Sequence, residues 1–179
     1  MMIYHLHSME LASALGWWPA PPAKPFWRTL KGLAAVPERE ALMLLGQGIE
    51  AESGCAAAEA MLTLCQWKRG DPIEFVEFNA GMGQFAECLE RINGTDTVTV
   101  AGAAECWDVA LRAHSVAHGD HTNIVTVWAH SEGGLERLKG IASVTHAHYS
   151  MICSPFSYMC RTGGSIFSEP RQERIDEVL

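Results

Sequence analysis

Residues 73–85 constrain the fold more than any other stretch, because they join a strand pattern to a helix pattern through two glycines. Ile73–Phe78 is rich in apolar residues and predicts a strand. A turn at Gly81 and Gly83 follows, and residues 85–91 then predict a helix. Glycines between a strand and a helix let the backbone approach a ligand closely. This stretch therefore predicts both an α/β unit and a candidate binding site.

Strand and helix patterns alternate through the rest of the chain. This alternation predicts an α/β fold with a mostly parallel sheet, and such sheets bind ligands at the carboxyl ends of their strands. The further strands are expected at 97–102, 123–128 and 148–153, and the helices at 107–117, 134–141 and 169–179.

The residues before this unit have a different character. We predict that residues 1–70 form a helical, Pro/Trp-rich N-terminal extension and that residues 71–179 form the α/β domain. The stretch 17–25 predicts a stiff, proline-rich connector. The aromatic side chains around it cover a face of the main domain or dock a partner, and the first interpretation is favoured. Helices are expected at 10–15, from Pro37 to about 49, and at 55–67 with Ser53 as the cap; the aromatic residues are Trp17, Trp18, Phe26 and Trp27.

Composition excludes several classes of protein. A net charge of −8 provides no electrostatic footprint for phosphate backbones, so it disfavours direct DNA binding by this chain alone. The sequence contains no run of about 18 apolar residues, so no membrane span is predicted. It also shows no signal peptide pattern at its start. The six cysteines lack zinc or redox spacing and are expected to be reduced. We therefore expect an intracellular protein, soluble or peripheral.

The glycine turn and a later acid follow the general logic of nucleotide binding. Glycines after the first strand admit the ligand, and an acid after the second strand accepts hydrogen bonds from ribose hydroxyls. Gly81 and Gly83 are the glycines here, and Glu105 is the acid, about 22 residues further on. The alternative is a turn that needs glycine for packing only.

The histidines have two interpretations. His114 and His118 are spaced i, i+4 near a helix end, which suits a metal, and His121 follows with Asp120 beside it. His146 and His148 are expected to face the same side of a strand. No further ligand clearly completes a metal set, so packing or surface histidines are favoured and no metal is predicted.

Three motifs resemble the cytosine-5 DNA methyltransferase family. Residues 78–85 (FNAGMGQF) resemble its first motif, residues 104–110 (AECWDVA) its second, and residues 154–164 (SPFSYMCRTGG) its fourth. The likeness covers roughly residues 73–179. It implies a truncated Rossmann-like fold of the methyltransferase type and S-adenosylmethionine as cofactor. The implied cofactor-binding residues are Asn79, Ala80, Gly81, Gly83 and Glu105, with Glu105 on the ribose.

The same comparison argues against catalysis. The family's nucleophile is a cysteine, and its position holds Ser157. A hydroxyl needs an adjacent base to become a nucleophile, and none is evident in the sequence near this position. The family's later motifs, which protonate and select the target base, have no counterpart here. The resemblance therefore predicts no catalytic residue.

Two functional hypotheses follow. The first is a catalytically inactive methyltransferase-like protein that acts as an interaction or accessory subunit of a larger assembly. The second is the S-adenosylmethionine-binding half of a split cytosine-5 DNA methyltransferase, completed by another chain. In both, a protein partner or a second copy is expected to cover the exposed edge of the fourth strand, because an uncovered apolar edge invites aggregation.

Overall fold

The computed structural model describes residues 7–18, 24–119, 124–125 and 144–150, with residues 124–125 described by their backbone. The described part contains helices and strands in the order α1 to α4, β1, α5, β2, α6, β3 and β4. The helices are α1 (Ser8–Ala14), α2 (Trp27–Ala34), α3 (Glu38–Gln47), α4 (Ala51–Leu64), α5 (Gln84–Asn93) and α6 (Asp108–His118). The strands are β1 (Ile73–Phe78), β2 (Val98–Ala104), β3 (Ile124–Val125) and β4 (His146–Tyr149).

The four strands form one parallel sheet in the order β3-β2-β1-β4. This confirms the prediction of an α/β fold with a parallel sheet. The chain runs outward from β1 to β2 and β3, then returns to place β4 on the other side of β1. The carboxyl ends of β1 and β4 therefore flank a topological switch point, where open α/β sheets bind their ligands. Phe78 at the end of β1 pairs with Ala104 of β2 and with Tyr149 of β4.

Strand β1 lies in the middle of the sheet and is buried on both faces. Ile73, Phe75 and Val76 are each at most 3% exposed. A strand with neighbours on both sides needs such an apolar run, because helices or loops cover both of its faces. Glu77 is the exception, since this carboxylate is buried in the same strand.

The N-terminal helices pack on the helices of the α/β unit. Helix α4 contacts α5, and α2 contacts α6. The second contact is close, because a β-carbon at Gly32 would lie 2.8 Å from the carbonyl oxygen of Ala113. Side chains from both parts of the chain belong to a single hydrophobic core cluster.

Helix α2 receives its N-terminal cap from the α/β unit. Its own N-cap residue, Phe26, has no side-chain oxygen to accept the free N–H groups of the first turn. The carboxylate of Glu87 in α5 accepts from the N–H groups of Arg28 at 2.8 Å and Thr29 at 2.7 Å. Arg28 also forms an ion pair with Glu90, with 2.7 Å between Nε and Oε2. These bonds fix where α2 begins relative to α5.

Several sequence-based expectations need correction. Helix α2 was not predicted, because its cap comes from a residue far along the chain. Ser53 is not the cap of α4: the helix begins at Ala51, and the Ser53 hydroxyl donates to the side chain of Glu50. The fourth strand begins at His146, two residues before the expected start.

Of the four aromatic residues around the connector, two are buried, as expected if they cover the main domain. The other two are exposed, as expected if they dock a partner. Trp17 and Phe26 are buried, with their rings in edge-to-face contact at 4.8 Å. Trp18 and Trp27 are 41% and 62% exposed, and their ring centroids are 6.0 Å apart. One pair therefore covers the core, and the other forms an exposed aromatic pair.

Some predicted features lie outside the described residues. They are residues 19–23 of the connector, the ends of the third and fourth predicted strands at 126–128 and 151–153, the helices at 134–141 and 169–179, and the motif at 154–164 that contains Ser157. Within the described part, no helix combines the length and apolar character needed to cross a membrane.

Candidate functional site

The glycine turn after β1 places three residues in the left-handed region. Asn79 has φ 52°, Gly81 has φ 56° and Gly83 has φ 79°. Gly83 is also the N-cap of α5. Glycine adopts this conformation without the steric cost that a β-carbon brings.

The two glycines of the turn face different surroundings. A β-carbon at Gly83 would come within 2.9 Å of the His114 ring and would also strike His118. Gly83 is therefore required for packing. A β-carbon at Gly81 would meet no described atom within 4 Å, so within the described part of the chain this residue borders free space. Packing thus accounts for Gly83, whereas the left-handed backbone conformation accounts for Gly81.

Glu105 follows β2 and reaches back to the glycine turn. Its Oε2 accepts from the N–H of Gly81 at 2.8 Å. Its Oε1 accepts from the N–H groups of Cys106 at 2.8 Å and Trp107 at 3.0 Å. These last donors lie at the start of α6, where a negative charge is stabilised. A carboxyl oxygen can accept two hydrogen bonds, and among the described residues Oε2 accepts from Gly81, which leaves one position for a ligand hydroxyl.

Asn79 and Ala80 hold the turn to the neighbouring strands. The Asn79 side-chain amide donates to the carbonyl of Ser150 at 2.9 Å, and the Ala80 N–H donates to the carbonyl of Ala104 at 3.0 Å. The turn is therefore tied to β4 on one side and to β2 on the other. Four of the five predicted residues, Asn79 to Gly83 without Met82, thus lie in one turn, and Glu105 contacts it directly.

A buried charged cluster beneath the turn was not foreseen from the sequence. The Glu77 carboxylate is 1% exposed, and its Oε2 lies 3.6 Å from Nε2 of His114, a fully buried residue. Its Oε1 lies 3.9 Å from Nδ1 of His148 in β4. Burial raises the pKa of Glu77, but the attraction of the adjacent His114 and His148 rings outweighs it and lowers this pKa to about 2. Glu77 is therefore ionised at neutral pH.

His118 connects this cluster to the glycine turn. Its Nε2 lies 2.9 Å from the carbonyl oxygen of Gly83, which can only accept, so Nε2 carries the proton. Burial and the nearby His114 lower the pKa of His118 to about 3. The imidazole is therefore neutral at physiological pH and supports the turn from below. The His148 ring stacks on Phe85 at 3.9 Å and completes the layer beneath it.

The sequence did contain a signal for this cluster. A glutamate inside an apolar strand needs a partner, and histidines at positions 114, 118 and 148 were available. The register of β1 with β4 places His148 beside Glu77 and so determines that His148 is one of its partners. Among the described residues, no group of three His, Cys, Asp or Glu side chains is arranged to hold a metal ion. His121 and Asp120 lie outside the described residues.

Sheet order, glycine turn and acid together give the chain a Rossmann-like α/β form. No protein-family model matches the chain, and comparisons with curated proteins and with solved structures give no significant match. The resemblance to cytosine-5 DNA methyltransferases therefore stays a prediction.

Proposed function

We propose that this chain is a catalytically inactive methyltransferase-like protein that binds a nucleoside-containing ligand, S-adenosylmethionine or its demethylated product, and serves as an accessory subunit of a larger assembly. The observation that carries the proposal is the hydrogen bond between Glu105 and the Gly81 N–H. It brings the acid after β2 to the glycine turn after β1, beside the free space at Gly81. A ribose hydroxyl in that space would donate to the remaining acceptor position of Oε2.

The absence of catalysis rests on the sequence. Ser157 replaces the cysteine that the resembling family uses as nucleophile. A serine hydroxyl is far less nucleophilic than a thiolate unless a base takes its proton. Ligand binding without methyl transfer is the expected behaviour.

The accessory role is supported by the exposed aromatic pair, Trp18 and Trp27. Tryptophan is enriched in protein interfaces because it buries a large apolar area at little entropic cost. The net charge of −8 favours a protein partner over nucleic acid at this surface.

The test is calorimetric titration of S-adenosylmethionine, and separately of S-adenosylhomocysteine, into the purified protein. We expect micromolar binding, weakened at least about tenfold by Glu105→Gln, which is about 1.4 kcal/mol. Asp108→Asn is the matched control: it removes the same charge from an exposed side chain three positions away and should leave the affinity unchanged. No heat from a folded protein would refute the ligand. Transfer of a labelled methyl group to DNA by the chain alone would refute the inactivity.

A second candidate function is the S-adenosylmethionine-binding half of a split cytosine-5 DNA methyltransferase. The free space beside Gly81 favours it, because a working cofactor site must be open to the reacting substrate. Purification together with a candidate second chain, followed by a methyl-transfer assay on DNA, tests it. Ligand binding with no transfer in the complex would exclude it and keep the first proposal.

A further inference from the structure

Two cysteines from different parts of the chain meet where α4 packs on α5. Cys55 lies in α4 and is half-buried, whereas Cys88 lies in α5 and is fully buried. Both are free thiols. Each thiol shifts the pKa of the other, so the two side chains are neighbours in the fold. The pair is separated by about 33 residues of sequence, so its spacing resembles no redox motif.

The helix packing brings these thiols together. A β-carbon at Gly54 would lie 2.7 Å from Sγ of Cys88, so the two helices touch closely beside Cys55 only because residue 54 is glycine. The Cys88 sulfur also approaches the carbonyl oxygen of Ala51 at 3.8 Å. Both contacts place Cys88 against the first two turns of α4, where Cys55 lies.

We propose that Cys55 and Cys88 are a reversible redox modification site, forming a disulfide that joins the N-terminal helices to the α/β unit. The proposal is independent of the ligand at the glycine turn. Because α5 begins directly after Gly83, the bond would tie α4 to the helix that extends from that turn.

The two sulfurs have different roles in the reaction. The neighbouring Cys88 thiol and the nearby Arg91 lower the pKa of Cys55, against the effect of burial. The neighbouring Cys55 thiol and burial raise the pKa of Cys88. Cys55 is therefore the thiolate that attacks first, since the thiolate is the nucleophile in exchange. Its partial exposure admits a small oxidant.

The proposed oxidant is a low-molecular-weight disulfide such as oxidised glutathione. The Cys55 thiolate attacks one of its sulfurs, breaks the S–S bond and releases one glutathione thiolate. Cys88 then loses its proton to solvent and attacks the Cys55 sulfur, which releases the second glutathione. Two protein thiols are oxidised, and one external disulfide is reduced to two thiols.

The test incubates the full chain with oxidised glutathione, alkylates the free thiols and identifies linked peptides by mass spectrometry. We expect a peptide pair joined through Cys55 and Cys88 that dithiothreitol separates. Cys55→Ser should abolish it, whereas Cys106→Ser, which changes an exposed cysteine outside these two helices, should not. The thermal midpoint of the oxidised protein should exceed that of the reduced protein by about 5 °C or more.

Two results would overturn the proposal. One is Cys55 carrying glutathione, with Cys88 still open to alkylation after unfolding. The other is complete alkylation of both thiols after unfolding of the glutathione-treated protein. Both are measured on the unaltered sequence, so they do not depend on whether any variant folds.

Discussion

The carboxylate of Glu105 accepts a hydrogen bond at 2.8 Å from the backbone N–H of Gly81, joining the end of β2 to the turn after β1. The turn is supported from the opposite side by His118, whose Nε2 lies 2.9 Å from the Gly83 carbonyl. The site is thus held in place by Glu105 on one side and by His118 on the other. Each support has its own measurable consequence.

Alanine substitutions should separate the roles of the two glycines. Gly81→Ala adds a β-carbon in free space at φ 56° and should cost about 1 kcal/mol of unfolding free energy. Gly83→Ala also drives a β-carbon into the imidazoles of His114 and His118 and should cost at least about 2 kcal/mol more. Chemical denaturation of both variants measures the difference. Equal losses would contradict the assignment of Gly83 to packing.

Replacing Glu77 should show how much the buried cluster contributes to the unfolding free energy. Glu77→Gln removes the negative charge that faces His114 and His148, and we expect a loss of about 3 kcal/mol in unfolding free energy. Glu74→Gln, on the same strand with a half-buried side chain, is the control and should change stability by less than about 0.5 kcal/mol. Denaturant unfolding of the two variants gives the comparison. A near-neutral Glu77→Gln would show that the cluster does not stabilise the fold.

The low pKa of Glu77 also predicts that the unfolding free energy falls in acid. Its pKa is lowered from 4.5 to about 2 by the histidines, against burial. The unfolded chain therefore binds the proton first as pH falls, and this contribution is complete above pH 4.5 and lost toward pH 2. Unfolding free energy measured from pH 5 to pH 2 should fall less steeply in Glu77→Gln. Identical slopes would contradict the lowered pKa.

The low pKa of His118 predicts a further fall in unfolding free energy at milder acidity. Burial and His114 lower its pKa from 6.5 to about 3, so below pH 6.5 the unfolded state binds more protons than the folded state. Stability should therefore decline as pH falls from 6.5 to 4, by on the order of 3 kcal/mol. His118→Gln retains an N–H donor for the Gly83 carbonyl but cannot titrate. Its decline over this interval should be smaller, and a parallel decline would assign the effect to other groups.

The cap of α2 by Glu87 should be worth a measurable fraction of the stability. Glu87→Gln leaves a single acceptor oxygen for the N–H groups of Arg28 and Thr29 and removes the charge at the helix start. We expect a loss of about 1–2 kcal/mol. Glu59→Gln, which removes an exposed carboxylate paired with Arg69, is the control and should cost less than about 1 kcal/mol. Similar losses in thermal or chemical unfolding would contradict the capping role.

Local pattern and local chemistry determined much of this protein. The apolar run of β1, the glycines after it and the acid after β2 predicted a parallel α/β sheet with a turn and an acid at one edge. Periodicity and turn preference act within a few residues, so they can be recognised along the chain. Eight of the ten described elements begin within two residues of their expected starts, and the exceptions are α2 and α4.

Only the tertiary structure decided the contacts between distant residues. Burial of Glu77 against His114 and His148 depends on the pairing of β1 with β4 and on the packing of α6. The cap of α2 comes from Glu87, and the close approach of Cys55 to Cys88 depends on Gly54. These relationships join segments tens of residues apart, and no local preference encodes which side chain will face which. Burial removes water as the alternative partner, so the folded chain must supply partners for these groups itself.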